Sequence, residues 1–442
     1  MSSTSRRTRT AALAVALVSS LALAACSGSS AKGGGSDVAA ADPTANVKLT
    51  WWTGQDADAE KILEKLGADF HALHPNVTID VSSGASTTDD LLQKMSAGFA
   101  SGEYPDISYA YGSWASELAS SGRTLDITKQ VADPVVKWSE LPEAGQKTAV
   151  VDGRTIGFPA IVDNLTLLYN KTVFDKAGVS YPTDDWTWDQ FRAVAKQLTD
   201  SSTKTYGYGF SVSGSEDTTW HLWPLLWQKG GTILSADGKK AAFNSDAGVQ
   251  ALDLLRGMAV DDKSVYLDQT DEKYGPLFVN NRIGMIISGP WQLYDLVQGK
   301  TKYGVAFLPS FDGKHTTVAG PDLWALLDHK DANRAYWSYQ LAKWLTDPEQ
   351  DAKFNLAQGN LPLRASEQAL PAYAEFKKDY PGVDVMVANF VNATQARPTV
   401  AGYVGLSQAI GEAISKVMQG AAGTKEALDA AAKKADAALA DQ

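Results

Sequence analysis

The chain has 442 residues, and its 51 acidic side chains outnumber its 40 basic ones, which gives a formal net charge of −11. This acidic balance argues against nucleic acid and against an anionic membrane surface as binding partners, because both are negatively charged. The length leaves room for two or three domains.

The first residues have the pattern of a secretory signal peptide. Arg6, Arg7 and Arg9 form a basic start, and a short apolar run follows over residues 11–22. Such a run is too short to span a membrane, and it leads into a Leu-Ala-Ala sequence typical of a cleavage site. We therefore predict that residues 1–25 are a signal peptide. No later stretch is apolar for long enough to cross a bilayer.

Cys26 follows Leu23-Ala24-Ala25 and resembles the cysteine of the bacterial lipobox. The resemblance implies that the thiol receives a diacylglyceryl group and that Cys26 becomes the mature N-terminus. The alternative is a free thiol beside an ordinary cleavage site. Because Cys26 is the only cysteine, a disulfide within the chain is impossible. Residues 27–46 are rich in Gly, Ser and Ala, so residues 26–46 are predicted to form a lipidated flexible tether.

Strands and helices alternate after the tether. The patterns predict strands over residues 47–52, 77–81 and 107–111, and helices over residues 62–73 and 91–99. This order is typical of an α/β fold with a parallel sheet. Ligands bind beyond the carboxyl ends of such strands, which here carry residues 53–55, 82–84 and 111–114. Asp106, just before the third strand, is interpreted as structural.

A second α/β region begins near Leu165. Residues 165–169 predict a strand, and Thr187 with Gln190 fits a capping box before a helix that runs to about Leu198. The tail from Thr424 onward is rich in Ala, Lys and Asp and has helical character. The second half of the chain therefore extends the α/β pattern of the first.

Several segments, in order, resemble the extracellular solute-binding proteins of bacterial sugar ABC importers, the maltose-binding-like family 1 group. They are residues 152–159, Leu168-Tyr169-Asn170-Lys171 with Phe174, residues 182–189, Ser288-Gly289-Pro290-Trp291, Leu308-Pro309, residues 359–364 and Arg397-Pro398. Each segment is weakly specific alone, but together they extend over nearly the whole mature chain.

The resemblance implies a two-lobe periplasmic-binding-protein-like α/β fold of type II, with a ligand cleft between hinge-linked lobes. We expect the N-terminal lobe to comprise residues 47–160 plus 310–365, and the C-terminal lobe residues 161–309 plus 366–442. Closure by a hinge motion would be absorbed at residues 159–164 and 305–309. A third crossing is expected after Arg364.

The implied function is capture of a mono- or oligosaccharide and its delivery to the membrane subunits of an ABC importer. The protein would be a monomer, held by its lipid anchor at the extracellular face of the cell membrane. Neither a cofactor nor a metal is expected, and the protein is not expected to be an enzyme.

Aromatic rings stack on the apolar faces of sugars, and carboxylates or amides bind the hydroxyl groups. The resemblance makes Asp163 an acidic hydroxyl acceptor at the hinge and Trp291 a stacking ring, since Gly-Pro just before it exposes it at a turn. Trp220 matches an aromatic sugar contact, and of the stripe Trp220, Trp223 and Trp227 only Trp220 is expected in the site.

Ser113 and Trp114 follow the third strand, where the resemblance implies polar and aromatic contacts. The maltose binders have charged residues there, so maltose itself is not implied. The remaining candidates are Gln55, Asp322, Trp324, Arg364 and Tyr403. Arg397 is expected to brace the domain interface through a carboxylate.

Three alternatives remain open from the sequence. An extracellular glycosidase needs two carboxylates about 5–5.5 Å or about 6.5–9.5 Å apart, and no short motif marks such a pair. A binder of glycerol phosphate would need clustered basic side chains or free helix N-termini. A polyamine binder would need several acids around an aromatic box. The number of Trp candidates, with two acids and one Arg, favours a neutral polyol.

Cys26→Ser should release the protein into the medium or stall its processing, because the variant has no thiol to carry the lipid. Cell fractionation with an antibody against the protein measures the release. Intact-mass analysis that finds an unmodified mature chain on the membrane would contradict the lipidation.

Overall fold

The computed structural model describes residues 38–85 and 88–440. The predicted signal peptide, Cys26 and residues 27–37 of the predicted tether lie outside the described residues. Within the described part of the chain, no helix combines the length and apolar character that crossing a bilayer requires.

Two sheets organise the chain. The first contains β1 (Val47–Trp52), β2 (Val77–Ser82), β3 (Ile107–Tyr111), β6 (Gly157–Asn164), β12 (Val318–Leu326) and β13 (Gln395–Ala396); the second contains β7 (Thr166–Asn170), β8 (Tyr206–Ser211), β9 (Val265–Asp268), β10 (Ile283–Ser288) and β11 (Tyr303–Ala306). A separate hairpin pairs β4 (Val150–Val151) with β5 (Arg154–Thr155).

The first sheet has the strand order β13-β12-β3-β1-β2, with β6 paired to β12. β1 pairs in parallel with both β2 and β3, as the strand–helix–strand order predicts. β12 runs antiparallel to β3 and to β6. The second sheet has the order β11-β7-β10-β8-β9, in which β8 is parallel to β9 and β10 while β7 is antiparallel to its neighbours.

Helices cover both sheets. They are α1 (Ala57–Leu73), α2 (Thr88–Ser101), α3 (Ala115–Ser120), α4 (Thr128–Val131), α5 (Glu143–Thr148), α6 (Lys171–Ala177), α7 (Trp188–Leu198), α8 (Glu216–Trp220), α9 (Trp223–Gln228), α10 (Asp246–Arg256), α11 (Tyr274–Val279), α12 (Trp291–Gln298), α13 (Ala332–Leu345), α14 (Pro348–Phe354), α15 (Pro371–Asp379), α16 (Val383–Ala388), α17 (Tyr403–Met418) and α18 (Thr424–Ala440). We call the first sheet with α1–α5, α13 and α14 the first lobe, and the second sheet with α6–α12 and α15–α18 the second lobe.

Local signals in the sequence set several helix ends. α1 stops where His74 precedes Pro75, since a residue before proline is disfavoured in the α region. The predicted capping box of α7 is present: Gln190 N donates to Thr187 Oγ1 (3.3 Å), and Thr187 N donates to Gln190 Oε1 (2.8 Å). α7 ends at Leu198, as predicted.

Each lobe has its own apolar core. In the first lobe, Trp51 of β1 meets Trp324 of β12 edge to face, with ring centroids 5.2 Å apart. The second lobe buries Trp188 and Trp223 among the helices that cover its sheet. Burying a large apolar side chain contributes on the order of 1.5–3 kcal/mol, so each core stabilises its own lobe.

The described end of the predicted tether is folded. Val38 is buried in the first-lobe core, and Asp42 N donates to Asn333 Oδ1 of α13 at 2.7 Å. Asn76 Nδ2 donates to the carbonyls of Pro43 and Ala45. The prediction of a flexible tether was therefore wrong for residues 38–46, because a single apolar side chain and a few backbone bonds attach this segment to the lobe.

The chain passes between the sheets near the predicted points, but not at the predicted residues. β6 belongs to the first sheet up to Asn164, so the predicted boundary at residue 160 is four residues early. Ser310 and Phe311 still pack on the second lobe against α7, so the predicted crossing at 305–309 and the boundary at 310 are early as well. The chain returns from the second lobe to the first sheet just before Val318, where β12 begins. Arg364 stays on the first lobe and α15 on the second, which agrees with a crossing after Arg364.

Asp106 has the structural role that the sequence suggested. Its carboxylate is fully buried and accepts hydrogen bonds from Arg334 Nε and Nη2 of α13, both at 2.8 Å, and from Thr50 N of β1. These hydrogen bonds join α13 to β1.

Arg334→Met should lower the free energy of unfolding by about 3–5 kcal/mol, because it leaves the buried Asp106 carboxylate without its cation. Urea denaturation measures the change. The matched control is Lys48→Met, which removes an exposed partner of Asp80 (3.2 Å) and should cost less than about 1 kcal/mol. Equal effects of the two substitutions would contradict this account of Asp106.

Candidate functional site

A cleft of about 390 Å³ lies between the lobes, a volume within the range of about 300–1,000 Å³ that is usual for ligand pockets. Its floor is formed by the crossing strands β6 and β12. Its lining includes Gln55, Asp56, Tyr109 and Tyr111 of the first lobe, Glu216, Asp217, Trp220, Trp291, Tyr294 and Asp295 of the second, and Asp163, Gly320, Asp322, Asn360 and Arg397 between them.

Asp163 lies on the floor of the cleft, next to the end of β6, and is only 4% exposed. Leu361 N donates to its Oδ1 at 3.4 Å. Burial raises the pKa of Asp163 to about 8, the hydrogen bond from Leu361 acts in the opposite direction, and the charges of Asp322 and Asp351 add to the rise. Asp163 can therefore donate or accept a hydrogen bond near neutral pH.

Two indole rings form one wall. Trp220 and Trp291 stack with centroids 5.5 Å apart and planes inclined by 26°. Trp291 is 37% exposed whereas Trp220 is 8% exposed, so Trp291 offers the larger ring surface to the cleft. Gly289 is required here, because a Cβ at that position would collide with the Trp291 ring. Across the floor, a Cβ on Gly320 would lie 2.6 Å from Cζ2 of Trp220, so the two lobes meet closely at this glycine.

Arg397 connects the lobes beneath the cleft. Its Nη2 donates to Asp322 Oδ1 of β12 at 3.1 Å, and its Nη1 donates to Glu216 Oε1 of α8 at 3.5 Å. Tyr109 Oη donates to the other oxygen of Asp322, while Ser407 and Tyr403 donate to Glu216. Burial lowers the pKa of Arg397, but attraction by Glu216 and Asp322 outweighs it and holds the pKa above its usual range. Arg397 therefore has the bracing contacts that were expected of it.

The rim of the cleft brings α1 close to α12. Tyr294 Oη of α12 donates to Asp58 Oδ2 of α1 at 3.4 Å. Asp56 caps α1 by accepting from the backbone N–H groups of Asp58 and Ala59. Burial and the nearby charge of Asp56 both raise the pKa of Asp295, which places these two carboxyls within electrostatic reach across the cleft.

Gln55, Asp163, Trp220, Trp291 and Asp322 are the candidates that line the cleft. The structure does not bring the other five to it. Ser113 is buried in the turn after β3, and Trp114 packs in the first-lobe core with its ring 4.7 Å from that of Tyr111. Both residues follow the end of β3, but the chain turns into the first lobe at this point, so their side chains are buried.

Trp324, Arg364 and Tyr403 also lie away from the cleft. Trp324 is covered by Phe354 of α14. Arg364 is buried and donates to the backbone carbonyls of residues 136, 137 and 346, so it braces the first lobe. Tyr403 is buried beneath Glu216 and reaches the site only through that carboxylate.

Glu216, Asp56 and Asp295 also line the cleft but were not predicted from the sequence. Glu216 opens a short helix four residues before Trp220, and that i,i+4 spacing next to a predicted site residue was an available signal. Asp56 directly follows Gln55 and could have been inferred from it. Asp295 lies one helical turn after Trp291, on the same side of α12.

A larger cavity, of about 650 Å³, lies on the other face of the crossing strands. Val162 and Ala319 line it, whereas their neighbours Asp163 and Gly320 line the cleft, because successive side chains on a strand point to opposite faces. This rear cavity lies against α5 and has no exposed indole in its lining. The cleft has the smaller volume, but its exposed indole ring and its carboxyls make it the better candidate site.

Residues 65–384 match the family described as bacterial extracellular solute-binding protein. The chain belongs to this family. The similar solved structures include the cyclic alpha-maltosyl-1,6-maltose binding protein from Arthrobacter globiformis, at 27% identity and a TM-score of 0.75, over 90% of this chain and 100% of that one. This similarity confirms the predicted type II fold with two lobes.

Two curated relatives also resemble this chain over most of its length. A putative binding protein of Brucella abortus (strain 2308) is 24% identical over 85% of this chain and 89% of its own length. The sn-glycerol-3-phosphate-binding periplasmic protein of Yersinia enterocolitica is 24% identical over 90% of this chain and 94% of its own. These relatives are solute-binding proteins, not enzymes.

Asp163→Asn should remove a pH dependence of stability. A carboxyl whose folded pKa is about 8 favours folding fully below its unfolded pKa of about 4, and that contribution is lost as the pH rises toward 8. The melting temperature of the wild type, relative to the variant, should therefore fall between pH 5 and pH 8. Asp200→Asn is the control: its hydrogen bonds lower the pKa of Asp200 to about 2, so it is ionised throughout this range. A constant difference between wild type and Asp163→Asn would contradict the buried neutral carboxyl.

Proposed function

We propose that this solute-binding protein captures a sugar in the cleft and delivers it to an ABC importer from the extracellular face of the cell membrane, where a lipid on Cys26 holds it. The observation that carries the proposal is the exposed ring of Trp291 in a cleft whose other walls carry carboxyls and amides. An indole covers the C–H face of a pyranose, and the surrounding oxygens bind its hydroxyl groups.

Residues of both lobes and of the crossing strands would contact the sugar together. Gln55 approaches from the first lobe, Trp291 from the second, and Asp163 and Asn360 from the floor. A ligand that touches all of these surfaces stabilises the closed form, and it does so only by its higher affinity for that form. The importer can then distinguish a loaded protein from an empty one.

The charge of the cleft favours a sugar over glycerol phosphate, the ligand of one curated relative. Arg397 is the cationic side chain in the described lining, and Glu216 and Asp322 already bind it. A phosphate would meet several carboxylates there without a free basic partner. The Arthrobacter protein binds an oligosaccharide, which agrees with the proposal.

Calorimetric titration against a library of mono- and oligosaccharides, with glycerol phosphate included, tests the function. Trp291→Ala should weaken the sugar it selects by at least about tenfold, or about 1.4 kcal/mol, since the stacking surface is lost. Tyr181→Ala is the matched control, because Tyr181 is an aromatic residue of similar exposure (38%) outside the cleft. Binding of glycerol phosphate without any sugar would refute the proposal, and equal affinities of the two variants would refute the role of Trp291.

A further inference from the structure

The cleft contains more carboxyls than its cation can balance. Its described lining has six acidic side chains and one guanidinium, that of Arg397. Arg397 forms ion pairs with Glu216 and Asp322. Oδ1 of Asp217 lies 3.5 Å from Nδ1 of His221. Asp163 is protonated near neutral pH, because burial raises its pKa to about 8, so it adds no negative charge. The two remaining acids are Asp56 and Asp295, for which the described residues provide no basic partner within ion-pair distance. A cleft lined by one sign of charge concentrates ligands of the opposite sign.

Asp163 adds an observation that does not depend on the number of acids. Although this residue is almost completely buried, the described chain provides a single hydrogen bond to it, from Leu361 N to Oδ1. Its Oδ2 has no hydrogen-bond partner among the described residues, and the side chain lines the cleft. Because this oxygen faces the cleft, a ligand that displaces water from it must provide a hydrogen-bond partner in return.

Asp56 and Asp295 lie on opposite lobes. Asp56 stands at the N-terminus of α1, and Asp295 lies on α12, which contacts α1 through the bond from Tyr294 to Asp58. Both carboxylates line the same cleft, and burial together with the charge of Asp56 raises the pKa of Asp295, so the two groups repel each other. A cation on the ligand, placed between the lobes, would convert this repulsion into attraction by both lobes.

We propose that the captured sugar carries a protonated amine, which Asp56 and Asp295 attract from the two lobes while Asp163 accepts a hydrogen bond from the ligand. This inference rests on the proposed function and specifies its substrate class. An amino sugar fits better than a polyamine, because the amides of Gln55 and Asn360 and the ring of Trp291 match hydroxyl groups and a pyranose face. The ammonium group would add cation–aromatic attraction at the same wall.

Matched sugars test the inference on the intact protein. Each neutral sugar of the library is titrated together with its amino-deoxy counterpart and with the N-acetylated form of that amine, which has no charge. The amino-deoxy form should bind at least tenfold more tightly than both neutral forms. Because the preference is electrostatic, it should shrink as the ionic strength rises, while the affinity of the neutral forms changes little. A diamine without hydroxyl groups is included as a probe.

Two variants locate the charge. Asp295→Asn should reduce the ratio of the amino sugar's affinity to that of its N-acetylated form severalfold. Asp189→Asn, which removes a carboxylate of α7 outside the cleft lining, is the control and should leave the ratio unchanged. Both proteins should show the thermal unfolding of the wild type, which separates loss of charge from loss of fold.

The outcomes separate this inference from the proposed function. If a neutral sugar binds as tightly as its amino counterpart, or if Asp295→Asn leaves the ratio unchanged, the inference is overturned and the proposed function stands. If the diamine or glycerol phosphate binds while no sugar of either kind does, both are overturned. The absence of binding by any probe counts against both as well.

Discussion

The guanidinium of Arg397 between Asp322 and Glu216 is the contact on which the rest of the site depends. Asp322 belongs to a crossing strand of the first sheet and Glu216 to a helix of the second lobe, so one side chain ties both to the floor of the cleft. All three groups are largely buried, and removing one member of a buried ion pair costs about 3–5 kcal/mol. The surrounding hydroxyls of Tyr109, Tyr403 and Ser407 hold the two carboxylates in place. Cζ of Arg397 also lies 5.2 Å from the centre of the Trp220 ring, so the same guanidinium supports one wall of the cleft.

Most strands and helices could be predicted from the sequence because their signals are local. Apolar residues recur with the period of a strand or a helix, and His74-Pro75 and the Thr187–Gln190 pair mark helix ends within a few residues. The crossings were harder to place, since they depend on which sheet a strand pairs with. β6 and β12 pair with each other over most of their length, and no residue in either sequence records where that pairing stops.

The site was predictable where a side chain projects directly from a strand end or a turn. Trp291 follows Gly289-Pro290, and Asp163 lies next to the end of β6, so both reach the cleft. Trp114 and Trp324 are also tryptophans near a strand end or within a strand, but Tyr111 packs against Trp114 and Phe354 packs against Trp324, so both are buried. Whether a tryptophan forms a wall or a core depends on packing between segments that are distant in the chain. The charge balance of the cleft has the same origin, because its acids come from both lobes.

The stacked indoles of Trp220 and Trp291 also have an optical consequence. Two such chromophores 5.5 Å apart, with planes inclined by 26°, have coupled electronic transitions, and the sign and strength of that coupling depend on their relative orientation. Trp220 is held against Gly320, whereas Trp291 is the more exposed ring and stands at the first residue of α12. The pair therefore contributes a near-ultraviolet circular dichroism signal that changes with the angle between two rings at the cleft, in addition to the signal of the Trp51–Trp324 pair in the first-lobe core.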